Sequence, residues 1–427
     1  MKILLYGINF APEPTGIGKY TGEMAAWLAE QGHEVRVVTA PPYYPEWQVG
    51  RGYRAWQYKK ESYHGATVWR CPLWVPRQPG GLKRVLHLMS FALFSIPVML
   101  LQAFWRPDVV WMCAPAFACT PVALLTAKLA NAPAWLHIQD YEVDVAFDMG
   151  LLRGNLARKL VTGLESWLLR RFDIVSTISQ RMLQRAAEKG VAQERIAFFP
   201  NWVDVNAITP LQRRSAYRDE LGISDEQVVA LFSGTLGSKQ GLHLLPQAAK
   251  LLAQQCPQAM LVICGDGVMK PELVAACEGL SNVTLLPLQP KERLPELLGM
   301  ADIHLLPQDP DVADLVMPSK LTAMLSSGRP VVTTARPDSE VACVVAQCGL
   351  LCTSGSAKDL ARGIAELAQS SAERMRLGLA ARHYAEARLG TERVLGHFVE
   401  QCQAVRQGHP LPPTPAFQSA SGDRLQA

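Results

Sequence analysis

The chain has 427 residues, too many for one hydrophobic core of ordinary size, so two domains of about 200 residues each are expected. With 49% hydrophobic and 19% charged residues it has a globular composition, which excludes a disordered or fibrous chain. The net charge of +4 is unevenly placed: residues 1–200 carry 22 Lys and Arg against 15 Asp and Glu, and 51–106 set nine basic residues against Glu61 alone. No nucleic-acid partner is expected. The local basic cluster suits phosphate groups or an anionic membrane face, or is simply a solvated surface.

KILLYGI at the N-terminus reads as a buried parallel strand. A helix follows from about Gly18 to Glu30, with Tyr20, Met24, Trp27 and Leu28 on one face, and EVRVVTA supplies the next strand. ATVWRC, DVVWMC, AWLHI and DIVSTI continue the series, so residues 1–205 are expected to form a doubly wound α/β domain. IAFFPNWVDV, 196–205, reads as the link to a second domain over 206–390. There VVALFS, MLVIC, VTLLP, DIHLLP and PVVTT alternate with helical HLLPQAAKLLAQQ, PELVAACEG, ERLPELLGM and SKLTAMLSS. A last helix, about 391–406, is expected to pack back on the first domain, with 407–427 as a Pro/Ser-rich disordered tail.

The ten cysteines form no CxxC pair, and several sit in strand-like runs, as Cys113 and Cys264 do. Buried reduced thiols of a cytosolic protein fit that pattern better than disulfides or a zinc site. The apolar run of MKILLYGINF is too short for a signal peptide. LKRVLHLMSFALFSIPVMLLQAFWR, 82–106, is long enough to span a bilayer. The strands expected on either side of it belong to one sheet, so a helix lying in the membrane interface is preferred over a buried crossover helix, and both over a span.

PTGIGKYTGEM, 14–24, tests for a dinucleotide site and fails. Asn9 to Thr15 intervene between strand and first glycine, Gly16-x-Gly18-x-x-x-Gly22 is not GxGxxG, and the second strand ends in Thr39-Ala40-Pro41-Pro42 without a ribose-binding carboxylate. What remains is a loop entering a helix N-terminus, where Gly16 and Gly18 let an anion approach free N–H groups. Valine at either position is expected to abolish activity and leave the fold intact. Gly22 serves packing. VVALFSGTLGSKQGLHLL repeats the arrangement, with Gly234, Gly237 and Gly241 in the loop and Lys239 beside them. LVICGDGVM sets Gly265-Asp266-Gly267 at a strand end. Pro318-Ser319-Lys320 opens a helix, a second anion site.

Taken in order, PTGIGKYTGEMAAWLAEQGHEVRVVTA, HIQDYEVD, PNWVD, FSGTLGSKQG, ICGDG and PSKLTAMLSSGRPVV resemble a GT-B-fold glycosyltransferase of family 4, over roughly residues 1–405. The resemblance implies two Rossmann-like domains facing a cleft and a nucleotide-sugar donor held mostly by the second. It places Gly16 and Gly18 near the donor phosphates and the acceptor. It puts Gly234, Thr235 and Lys239 at the diphosphate, the amides of Ser319 and Lys320 as its cap, and Gly265-Asp266-Gly267 with Leu286-Pro287-Leu288-Gln289 around the nucleoside. His137 is implied to hydrogen-bond the transferring sugar, or else to be a satisfied core histidine. Asp140 or Glu142 would orient the acceptor hydroxyl, unless Asp140 caps a helix. The family's Arg after the first glycine is replaced by Thr235, and its helix carboxylates fall at Ala323 and Leu315.

No acidic cluster with metal-ligand spacing is apparent in the sequence, so no metal and no cofactor are expected, and the resemblance further implies a retaining transfer. The specific expectation is fucose from GDP-fucose, moved to a lipid-diphosphate-linked saccharide in colanic-acid-type exopolysaccharide assembly. The enzyme would then be cytoplasmic and peripheral to the inner membrane. The alternatives are another sugar from a UDP donor, or a non-catalytic scaffold in a polysaccharide assembly complex.

Overall fold

The computed structural model describes residues 1–78, 80–115, 117–141, 155–309 and 317–412, with the backbone alone for 155–158 and Lys239. The chain divides into two compact units, Met1–Phe199 with the stretch from Leu395, and Pro200–Val394.

The first unit runs β1 (Lys2–Tyr6), α1 (Gly16–Glu30), β2 (Glu34–Thr39), β3 (Lys59–Tyr63), β4 (Ala66–Arg70), α2 (Gly81–Trp105), β5 (Val109–Ala114), α3 (Thr120–Ala130), β6 (Ala134–Ile138), α4 (Asn155–Leu169), β7 (Ile174–Thr177), α5 (Gln180–Glu188) and β8 (Ile196–Phe198). Its eight-stranded sheet has the order β3-β4-β2-β1-β5-β6-β7-β8. All pairings are parallel except β3 with β4. Every residue of β5 is buried, as a central strand covered on both faces must be.

Two details depart from the sequence reading, and a third, the 82–106 stretch, bears out its exclusion of a membrane span. KKESY forms the edge strand β3, which its polar, largely exposed side chains conceal. It pairs with β4 through His64-Gly65, both at positive φ (44° and 86°), the two-residue turn that matches strand twist. Ile196–Phe198, expected within the link, is instead the last strand of the sheet. The 82–106 stretch is the crossover helix α2. Because β1 before it pairs with β5 after it, Ile3 opposite Val109 through Tyr6 opposite Met112, a single membrane crossing is incompatible with this sheet. The inner face of α2 buries Phe91, Val98 and Met99, and Ser95 Oγ lies 2.6 Å from Tyr6 Oη.

The second unit runs α6 (Ala216–Glu220), β9 (Val228–Ser233), α7 (Leu244–Gln255), β10 (Ala259–Cys264), α8 (Lys270–Cys277), β11 (Val283–Leu286), α9 (Leu294–Met300), β12 (Ile303–Leu306), α10 (Ser319–Ser326), β13 (Val331–Thr333), α11 (Glu340–Cys348), β14 (Gly349–Leu351), α12 (Ala357–Gln369) and α13 (Ser371–Arg388). Its sheet, β11-β10-β9-β12-β13-β14, is parallel throughout. Val229 and Leu231 of β9 face one apolar core, Val228, Ala230 and Phe232 the other. The last helix, α14 (Thr391–Arg406), starts in this unit and places Phe398 against Trp135 and Phe199 of the first. Its end is closed by Gly408 at positive φ, with the His409 N–H reaching the Ala404 carbonyl.

Arg70, 1% exposed, ends β4 and holds three segments of the first unit. Nε donates to Glu61 Oε1 at 2.7 Å, Nη1 to the Ala40 carbonyl at 3.0 Å and Nη2 to the Ala11 carbonyl at 2.5 Å. Its guanidinium lies over Phe10 and Tyr53. Arg70→Met strands two carbonyls and a carboxylate, and is expected to lower the unfolding free energy by about 3 kcal/mol in urea titration. A loss below about 1 kcal/mol would show that the guanidinium is not what ties these segments.

Candidate active site

In the first unit the loop between β1 and α1 is organised by Glu13, only 4% exposed. Its Oε1 accepts from the Tyr43 and Tyr44 amides, both at 3.1 Å, and Oε2 accepts from Asn9 Nδ2 at 2.9 Å. Burial pushes the carboxyl pKa up against the pull of these donors. Glu13 explains Gly18: a Cβ there would come 2.6 Å from Glu13 Cβ. Gly18 therefore makes room for a buried carboxylate, and the expectation that a side chain at this position spares the fold is corrected. Gly16 is different. It stands at φ +60° with open space around its missing Cβ, at an N-terminus with neither a side-chain cap nor an acid in the first turn. Gly22 is closed by Ala11, whose Cβ would be 2.6 Å away, in keeping with a packing role.

At the end of β6, His137 is a core histidine. Gln139 Nε2 donates to its Nε2 at 2.9 Å, which leaves Nδ1 to donate to Ser176 Oγ at 2.9 Å. Trp111 stacks on the ring at 5.5 Å, Phe199 meets it edge-on, and burial takes its pKa down to about 3. With both nitrogens engaged and the ring 2% exposed, His137 holds Gln139 rather than reaching outward. Asp140 is half-buried, next to Tyr141, whose hydroxyl donates to the Met182 carbonyl. Lys189, ion-paired with Glu165, lies over the Tyr141 ring. Glu142 lies outside the described residues, as does Leu315.

In the second unit the expected donor residues do come together, at the C-terminal edge of the sheet. Gly234 stands at φ 136°, and the loops after β9 and β10 interlock. The Leu236 N–H donates to the Asp266 carbonyl at 2.8 Å and the Met269 N–H to the Leu236 carbonyl at 3.0 Å. A Cβ at Gly265 would stand 1.9 Å from the Gly234 oxygen, and one at Gly267 2.5 Å from the Leu236 oxygen. These two glycines thus permit one loop to lie on another, whereas a Cβ at Gly234 would meet only the Lys320 side chain. Asp266 points into solvent, where the hydrogen bonds of Lys270 and the Gly267 amide hold its pKa down. Thr235 has an exposed side chain.

Lys320 completes the group, in a way the sequence does not disclose. From the first turn of α10 its stem runs back to Gly234, 3.4 Å from where a Cβ would sit, and Nζ bonds Gln240 Oε1 at 2.6 Å over the Phe232 ring. Part of the stem meets solvent, but the ammonium end is enclosed, and burial draws its pKa down to about 7. No described carboxylate pairs with it, and the Ser319 and Lys320 N–H groups donate to no described partner at the helix start. The arrangement is a cation with unpaired amides beside a Cβ-free turn, suited to an anion that carries several oxygens. The Lys239 side chain is outside the described set. Among the described residues, no group of three His, Cys, Asp or Glu is placed to hold a metal ion.

Two doubly wound parallel-sheet units, the second with an anion-ready strand edge, define the GT-B class of transferases. Solved structures agree on the fold. Anabaena Alr3699/HepE, solved with UDP and glucose, superposes with a TM-score of 0.68 at 18% identity, covering 95% of this chain and 100% of that one. WaaG, a glycosyltransferase involved in lipopolysaccharide biosynthesis, does so at 0.63 and 17%, with 95% and 100% covered. Family models match as a glycosyl transferase 4-like domain over residues 15–202 and as glycosyl transferases group 1 over 213–384. A protein of Escherichia coli K12, WcaI, provisionally described as a colanic acid biosynthesis glycosyl transferase, is 44% identical over 416 residues, 93% of this chain and 99% of that one. The chain belongs to the family 4 glycosyltransferases of GT-B fold.

Gly18→Ala is expected to cost about 1–3 kcal/mol of stability by displacing Glu13, and Gly16→Ala about 1 kcal/mol from its backbone angle, read as urea midpoints. Equal, negligible losses would show that Glu13 yields freely. Lys320→Met should weaken pyrophosphate binding at least about tenfold by calorimetry. In the wild type that affinity should fall as pH rises past about 7, because the neutral amine must take up a proton, whereas Lys320→Arg removes this dependence. The ligand-free protein has the opposite sign. Its unfolded chain holds the extra proton between about 7 and 10.5, so Lys320 adds stability as pH rises through that window. A pyrophosphate affinity equally pH-dependent in wild type and Lys320→Arg would remove Lys320 from the site.

Proposed function

We propose that this glycosyltransferase moves a sugar from a nucleotide donor to a saccharide carried on a membrane lipid diphosphate, in exopolysaccharide assembly of the colanic acid type. The specific reading is fucose from GDP-fucose with retention of configuration. The observation that supports a nucleotide donor is the Lys320 ammonium, unpaired with any described carboxylate, beside Gly234 and the Ser319 and Lys320 amides, which have no described partner. Negative charge develops on the leaving diphosphate, and fixed donors aimed at it lower the barrier without reorganisation. Lys239 is proposed as a second cation and Thr235 as a hydroxyl donor beside it. Val268 and Leu288, 81% and 69% exposed at the ends of β10 and β11, offer an apolar rest for the base.

The acceptor falls to the first unit. Asp140 would take a hydrogen bond from the attacking hydroxyl, with Glu142 as its partner, while His137 fixes Gln139 behind them. Gly16 leaves room at the α1 N-terminus for an anionic group. Acceptors of this kind place the enzyme in the cytoplasm, at the inner face of the membrane. The 44% identity to WcaI supports the pathway. A second reading, a UDP-sugar donor, is favoured by the UDP and glucose held by the Anabaena relative.

Thermal unfolding with a panel of GDP- and UDP-sugars separates the two. GDP-fucose should raise Tm by about 2 °C or more, and UDP-glucose by less. The reverse order would sink the fucose reading, and transfer of labelled fucose to a lipid extract, with the product anomer read by NMR, would complete the test.

A further inference from the structure

The outer face of α2 is unlike the rest of the surface. Leu82, Leu86, Met89, Leu93, Leu101 and Phe104 are all at least half exposed, Phe104 at 85%. Steps of three or four residues, with exposed Pro97 between Leu93 and Leu101, join them into one stripe along a helix about 37 Å long. No Asp, Glu, Lys or Arg occurs from Val85 to Trp105. Beside its midpoint stand two exposed aromatics. The Trp56 ring is 5.6 Å from that of Phe94, and Tyr58 donates to the Phe94 carbonyl at 2.8 Å. Amphipathic rings of this kind settle at the level of lipid headgroups.

The charges that flank the stripe are mostly basic, Glu34, which accepts from Trp105 Nε1 and lies 3.8 Å from Arg36, being an exception. Lys83 and Arg84 precede it and Arg106 follows it, all exposed, and none makes an ion pair with a described residue. Arg51 and Arg54, in the loop that carries Trp56, are likewise unpaired. We infer that α2 lies flat in one leaflet of an anionic bilayer, its apolar stripe among the acyl chains and these cations on the lipid phosphates. A span is removed by the sheet, since β1 and β5 pair across the helix. A second copy of the chain is a poor occupant, because a two-fold antiparallel contact along the helix would set Lys83 and Arg84 of one copy against Arg106 of the other. The inference deepens the lipid-linked acceptor reading, and rests on it for the purpose of docking. The docking itself needs no acceptor to be tested.

The full-length protein is floated with vesicles of phosphatidylcholine alone and of phosphatidylcholine with about one-third phosphatidylglycerol. It should rise with the anionic vesicles, less so at high salt, and stay behind with the neutral ones. The combined variant Leu86→Ser, Leu93→Ser, Phe104→Ser should bind at least about tenfold more weakly, and Lys83→Gln with Arg84→Gln should lose the preference for anionic lipid. These positions are exposed, and circular dichroism melts that match the wild type confirm that folding is intact. A wild type that ignores anionic vesicles, a triple variant that floats unchanged, or a concentration-dependent dimer that the triple variant abolishes would each overturn the inference. If the protein transfers sugar to a detergent-dispersed acceptor yet never floats, docking fails and the function stands. Flotation without transfer to any acceptor does the reverse.

Discussion

A parallel sheet buried on both faces sends every strand the same way, so every strand-to-helix loop emerges along one edge. In this chain that constraint acts twice. In the second unit it brings the loop after β9, the loop after β10 and the start of α10 to a single margin, although Gly234 and Lys320 are 86 residues apart in sequence. The margin is made tight by backbone lying on backbone, which only Gly265 and Gly267 allow. In the first unit the same edge carries the Glu13 loop and the end of β6, and Arg70 clamps the former to the strand beside it. Chemistry at these edges is therefore a by-product of how the layers must wind, and the side chains there tune it.

The central strands and the alternation of element types were legible because strands such as VVWMC and VVALFS are unbroken apolar runs, whereas the short or polar strands KKESY, Ile196–Phe198 and Gly349–Leu351 were not. What escaped was structure whose stability comes from neighbours. KKESY is a strand only because ATVWR lies alongside it, and Ile196–Phe198 only because β7 does. The glycines were correctly marked as special, but for reasons that pattern cannot separate. A residue absent to admit Glu13 looks the same in sequence as one absent to admit a ligand.

Side chains show the same division. His137, at a strand end, looks like a group poised over a site. Burial between Trp111 and Phe199 and the occupation of both nitrogens are tertiary facts. Lys320 was read as a backbone donor at a helix start, and its folded-back ammonium has no local signature. The one advance cue is that the helix opens on Pro318, leaving the first turn without a capping side chain to compete for anions.

The positive charge of Lys320, unpaired with any described carboxylate, has a bearing on turnover. On the donor reading, a nucleoside diphosphate leaving the sugar behind carries one more negative charge than the nucleotide sugar that arrived. A site whose cation lacks an internal counter-ion grips the more negative species harder. The spent nucleotide would then be the tightest-held occupant, and the step that limits each cycle would be its departure rather than bond cleavage. Flux through such an enzyme would then fall as the spent nucleotide accumulates and rebinds.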